Sequence, residues 1–175
     1  ATPQTAKLIA PDNLSEVDDY VALKINGTQP PSAMLSGYQY VDEVTDDSIK
    51  SSLFKSFLSR SLSSGVREWK QSLFDRYKIS AVNALKRYGL DFNAQTLLID
   101  ELNIELKSVF NDSALMALIN QYTDIRTDVS LSGIQGRSWV HSQIDLLLEN
   151  KQQGIIISIN KEDENIGLIK RLLSK

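Results

Sequence analysis

Residues 150–159 read Asn-Lys-Gln-Gln-Gly-Ile-Ile-Ile-Ser-Ile, a polar turn running straight into a β-branched strand. This pair of signals constrains the fold more than any other stretch, because a strand entered through such a turn needs a partner just before it. Residues 138–149 admit two foldings. Ser138 could cap a helix with Trp139, Ile144 and Leu147 facing inward. Alternatively Trp139 to Leu148 form a strand joined to Ile155–Ile159 through the Asn150–Gly154 connection. The hairpin is favoured, because the connection carries turn residues and the second partner is plainly β. A helix follows, with Asn160 as candidate N-cap and acids in its first turn (Glu162, Asp163, Glu164). Ile166, Ile169 and Leu173 form its buried side, and Lys170, Arg171 and Lys175 close it.

The rest of the chain is read around that unit. Residues 1–19, polar and acidic with Pro3 and Pro11, read as an irregular lead-in. Tyr20–Ile25 reads as a strand stopping at Asn26-Gly27, and residues 37–44 as a second short one. Asp46 or Asp47 is a plausible N-cap for a helix carrying Ile49, Leu53, Phe57 and Leu62, interrupted at Ser63-Ser64-Gly65. A longer helix is expected from Val66 to Tyr88, because Val66, Trp69, Leu73, Tyr77, Ala81, Leu85 and Tyr88 recur every three or four residues. Its aromatic residues share the apolar stripe, so they are expected in the core. From Leu97 the pattern alternates, with Leu98, Leu102, Ile104 and Leu106 opposite Glu101, Asn103, Glu105 and Lys107, which predicts a half-buried strand. Asn111-Asp112-Ser113 caps a short helix over residues 114–122, and the alternation from Thr123 to Leu131 predicts a strand ending at Gly133. The expected class is α+β (or α/β): a mixed sheet of about four strands packed on a long helix and a C-terminal helix. Residues 1–45 form an N-terminal arm and 46–175 one globular domain, comprising a basic helical pair (46–90), the sheet (97–160) and the last helix (161–174).

Composition enters through what it excludes. The absence of cysteine removes disulfides, thiolate nucleophiles and cysteine zinc sites, and a single histidine removes multi-histidine metal sites within one chain. No apolar run approaches a membrane span. A cytoplasmic location is expected; the alternative is the periplasm or envelope, since the chain opens Ala-Thr-Pro without Met and a signal segment could have preceded it. The net charge of −3 is unevenly spread. Residues 1–49 carry two basic and eight acidic side chains and residues 91–149 three and nine, whereas residues 50–90 carry nine basic against two acidic. Such segregation steers polyanions or acidic partners to one face. The binding candidates are therefore Lys50, Lys55, Arg67, Lys70, Arg76 and Lys78, with Arg137 and Ser138 at the later polar turn. The expected partner is nucleic acid or a protein.

No Walker loop, dinucleotide fingerprint, nucleophile elbow or zinc motif is present. Asp100, Glu101, Glu105 and Lys107 could form a metal-binding acid-x-Lys group, but the same spacing describes a solvated strand face. Read as strand, hairpin, strand and helix, with the lead-in Gly136-Arg137-Ser138-x-x-His141, the stretch from Gly136 resembles the core of the PD-(D/E)xK nuclease superfamily. The resemblance implies that Asp145 is the first metal-binding carboxylate, with His141 beside it as a second catalytic candidate. The positions of the Glu-x-Lys pair are held by Ser158-Ile159-Asn160, which supply no carboxylate. What it implies is a nuclease-like scaffold used for binding without metal; Mg²⁺ would be required only if the chain were an active hydrolase. A weaker similarity, in element order and in Leu98-Ile-Asp-Glu-Leu102, is to YajG-like envelope lipoproteins, which would imply an accessory envelope protein acting through protein contacts. The function expected is non-catalytic binding.

Overall fold

A computed structural model describes residues 6–9, 20–27, 46–151, 153–160 and 166–173. Among them five strands form one mixed sheet: β1 (Ala6–Ile9), β2 (Tyr20–Ile25), β3 (Asp124–Gln135), β4 (Ser138–Glu149) and β5 (Gly154–Ile159), in the order β1-β2-β5-β4-β3. β2 runs parallel to β5, with Val21 opposite Ile155 and Ile25 opposite Ile159, and the other pairs are antiparallel. The class is α+β, as expected. The stretch read as an irregular lead-in supplies β1, the edge strand beside β2. The second N-terminal strand expected over 37–44 lies outside the described residues.

Five helices cover the sheet: α1 (Asp46–Ser63), α2 (Gln71–Arg87), α3 (Phe92–Phe110), α4 (Ser113–Ile119) and α5 (Ile166–Leu173). α1 to α4 pack on one face through Phe54, Phe57, Leu58, Phe74, Leu102, Leu106 and Ile119, which meet Leu23, Ile25, Leu146, Leu148, Ile155 and Ile157 of the sheet. α5 covers the other face, where Ile169 meets Ile144, Leu147 and Ile156. β5 is therefore buried along its whole length. A centre strand covered on both faces can be apolar without alternation, which is why residues 155–159 read so clearly.

Two expected elements are corrected. Residues 97–107 form the middle of helix α3. Their alternation breaks at two residues, since Ile104 is 66% exposed while Glu105 is buried. The helix buries Leu98, Ile99, Leu102, Leu106 and Val109, which fall at steps of three and four. The second basic helix begins at Gln71 and not at Val66. α1 ends in a Schellman-type cap: Gly65 takes φ +93, its N–H donates to Leu62 O, and Val66 N–H donates to Ser61 O. Arg67 then donates to the Leu62 and Val66 carbonyls, so residues 66–70 form the link between helices. Trp69 and Tyr77 pack around Phe57 as expected, with ring centroids 6.0 and 5.2 Å away, whereas Tyr88 is exposed. The short α4 is capped by Asp112, which accepts from Leu115 N–H.

The favoured hairpin between β4 and β5 is present, closed by Asn150 N–H donating to Gln153 O and Gln153 N–H to Asn150 Oδ1. β3 does not stop at Gly133. It continues to Gln135, and Gly136 (φ +63) with Arg137 makes a two-residue turn of the II′ kind into β4. Gly133 sits where α5 crosses the strand, and a Cβ there would lie 2.4 Å from Leu172 Cδ2. Asn160, read as the N-cap of the last helix, precedes residues 161–165, which lie outside the described residues, and the described α5 begins at Ile166. With φ +52 Asn160 donates its N–H to Ile25 O and accepts from Gly27 N–H through Oδ1, which ties the end of β5 to the end of β2. The acidic run 162–164 lies outside the described residues.

Candidate functional site

β4 pairs with β5 only from Leu146 to Glu149, but with β3 along its whole length. The parting occurs at Asp145. Thr127 faces Leu146 and Val129 faces Ile144, so Asp128 and Asp145 stand across from each other at a kink where Asp128 takes φ +50. The kink interrupts the pleat alternation. Leu146 and Leu148 point to the helical layer, yet Ile144, of the same parity, points to α5. Both aspartates turn toward α1, where Lys55 Nζ lies 2.8 Å from Asp145 Oδ1 and 3.3 Å from Asp128 Oδ1. The other oxygen, Oδ2, accepts the Ile159 N–H at 2.8 Å, replacing the strand bond that β4 no longer offers. Burial pulls the Lys55 ammonium down, but the hydrogen bonds and charges of Asp145 and Asp128 outweigh it, so its pKa lies above the ordinary lysine value.

Asp145, expected as a first metal ligand, thus has a fully buried carboxylate with an ammonium in the position a cation would take. Ser158 and Asn160, beside it on the neighbouring strand, add no carboxylate. Mg²⁺ needs oxygen ligands, open carboxylates and room for waters, and this set does not fit it. Among the described residues no group of three His, Asp or Glu side chains could hold a metal ion. His141 is exposed on β4 and pairs across the ribbon with Ser132, away from Lys55 and Asp145 in the strand. The two catalytic candidates are not brought together.

The basic stretch divides sharply. Lys50 is buried and bridges Glu101 and Glu105 of α3 at 3.0 and 2.9 Å. Burial lowers its pKa, but the two carboxylates raise it further, and the net shift is upward. The acid-x-Lys group suspected around Glu101 and Glu105 is therefore part of an internal ion-pair triad, and Glu105, expected on a solvated face, lies in the core. Arg67 caps the end of α1, and burial lowers its guanidinium pKa. Lys70, Arg76 and Lys78 remain exposed, together with Lys86 and Arg87. A shallow groove between α2 and α3 is lined by Gln71, Asp75, Lys78, Asp100, Asn103 and Ile104, with its charged groups mixed in sign.

Arg137 and Ser138 lie at the exposed tip of the β3–β4 hairpin. Beside them lie two residues outside the candidate binding set, of which Trp139 was expected only as an inward side chain of a helix or the first residue of a strand. Ile134 and Trp139 are cross-strand partners, 66% and 69% exposed. Had β3 been extended past Gly133, the two-residue turn would have placed them opposite each other. No described helix is long and apolar enough to cross a membrane. No protein-family model, curated protein or solved structure matches the chain.

Proposed function

We propose that the chain is a non-catalytic binding module that engages nucleic acid through the exposed cations of α2. The observation carrying this reading is the division of the basic stretch. Lys50 and Lys55 of α1 are paired with carboxylates of the fold, while Lys70, Arg76, Lys78, Lys86 and Arg87 face solvent with Asp75 as the one acid along α2. Asp75 itself accepts a hydrogen bond from Gln71. Cations held on a rigid helix neutralise phosphates and release counterions, which gives affinity without sequence reading. The hydrolytic alternative is disfavoured because Asp145 is committed to Lys55 and to the Ile159 N–H.

The test is retention of the purified protein on DNA and heparin over a salt gradient, beside a cleavage assay with Mg²⁺ or Mn²⁺. Retention that falls with salt, without cleavage, is expected. Arg76→Glu combined with Lys78→Glu should lower the salt slope by roughly one unit for each phosphate no longer neutralised. Retention on heparin with none on DNA or RNA would redirect the reading to an acidic protein partner. Cleavage abolished by Asp145→Asn would overturn it in favour of an enzyme.

A further inference from the structure

We infer that the outward face of the β3–β4 ribbon is a stacking platform for single-stranded nucleic acid. This rests on the nucleic-acid reading above but uses a different part of the molecule. Beyond the kink at Asp128 and Asp145 the two strands leave the sheet as a ribbon. One face of the ribbon is covered by α5, with Leu172 over Gly133 and Val129 and Leu131 packed toward Ile169. The opposite face carries three cross-strand pairs, Ser130 with Gln143, Ser132 with His141, and Ile134 with Trp139, and all six residues are exposed. A ribbon braced on one side and exposed on the other presents a preformed surface.

Its chemistry selects the partner. Residues 129–144 contain no Asp or Glu, although the chain holds 22. Asp128 and Asp145, which bracket the ribbon, are both paired with Lys55. The only charged side chain within the ribbon is the Arg137 guanidinium at its tip. An acid-free surface with a guanidinium at its tip, inside an acidic chain, admits a polyanion without repulsion from its own face. Trp139 adds an aromatic face with no ring or hydrogen-bond partner among the described residues, next to the apolar Ile134. Bases of a single strand stack on such a ring irrespective of sequence, whereas bases within a duplex have their faces covered. Serine and histidine along the same face supply donors and acceptors for phosphate oxygens and base edges.

The two tryptophans make this testable by fluorescence, since Trp69 is packed among Phe57, Phe74 and Phe110 and Trp139 is open to solvent. The full chain is titrated with oligothymidylate of about 12 nucleotides and with a duplex of equal length. Quenching by the single strand is expected, and Trp139→Phe should remove most of that signal while binding persists. Trp139→Ala should weaken single-strand binding about tenfold and leave duplex binding unchanged. If Trp139→Ala binds the single strand as tightly as the parent, the platform is wrong, even where Arg76→Glu and Lys78→Glu still weaken retention on DNA. If the parent binds neither single strand, duplex nor heparin, the nucleic-acid reading itself fails and the platform with it.

Discussion

At its sheet end β4 is surrounded on every side: Ile144 to Leu148 are buried, Asp145 included, and Glu149 accepts hydrogen bonds from Tyr20 and Arg126. Toward Ser138 the same strand is open, with Trp139 and His141 exposed and β3 and α5 as its neighbours among the described residues. The two halves teach that position within the sheet, and not side-chain type, decides what each residue does here. A carboxylate, a conventional catalytic group, has become structural at the buried end. A tryptophan, a conventional core residue, is available for contact at the open end.

The largest expected effect is at the kink. Asp145→Ala removes the acceptor for Ile159 N–H and one of two carboxylates holding Lys55, and should cost about 3 kcal/mol in urea unfolding. The cost stays at the low end of the range for broken buried pairs, because Lys55 is partly exposed and can turn toward water. Asp145→Asn keeps an acceptor for the amide and should lose less. A cost below about 0.5 kcal/mol for Asp145→Ala would be that of an ordinary surface site, would erase the contrast between the ends of β4 and would reopen a chemical role for Asp145.

A smaller effect is expected where β4 meets β5. Burial pushes the Glu149 carboxyl up, but the hydrogen bonds from Tyr20 and Arg126 and the Arg126 charge pull it down further, so it titrates below the ordinary glutamate value. A carboxyl depressed by folding contributes stability above its unfolded pKa, and that contribution is lost as pH falls through the folded value. Tyr20→Phe should therefore cost about 0.5–1 kcal/mol near neutrality, and the gap from the parent should close as Glu149 becomes protonated. A gap independent of pH down to acid unfolding would show that Tyr20 acts by packing alone.

The legible parts of the fold were those whose cause is local. The Gln-Gln-Gly turn and the isoleucines of β5, the Asp112 cap and the Gly65 stop each act within a few residues, and each was readable. α3 was not, because Leu98, Leu102 and Leu106 satisfy a helical step and an alternation alike. What separates the two is the burial of Glu105, and that depends on Lys50, far away in sequence. The candidate site failed to appear for the same reason. Nothing near Asp145 announces Lys55, which reaches it from α1, so the charge excess of residues 50–90 did not say which of its lysines pair with acids of the fold, as Lys50 and Lys55 do. The left-handed turn at Asp128 has no signal beyond an aspartate, a residue that tolerates that conformation.

The smallest expected change in stability is at the ribbon tip, and it sharpens the comparison most. Trp139→Ala removes a large aromatic side chain, which in a packed core would cost about 3–5 kcal/mol. At 69% exposure, opposite an equally exposed Ile134, it has little to lose, and the unfolding midpoint should correspond to a change within about 0.5 kcal/mol. Ile134→Thr should behave alike, keeping a β-branched residue in the strand. Measured beside Asp145→Ala, the pair places on one strand a buried charge that the fold requires and an exposed aromatic that it does not. Loss of single-strand binding in Trp139→Ala at unchanged stability would then belong to the surface and not to the fold. A loss of several kcal/mol would instead mean that Trp139 is covered in solution by another surface of the protein or by a second copy, and dependence of the unfolding midpoint on protein concentration would tell these two apart.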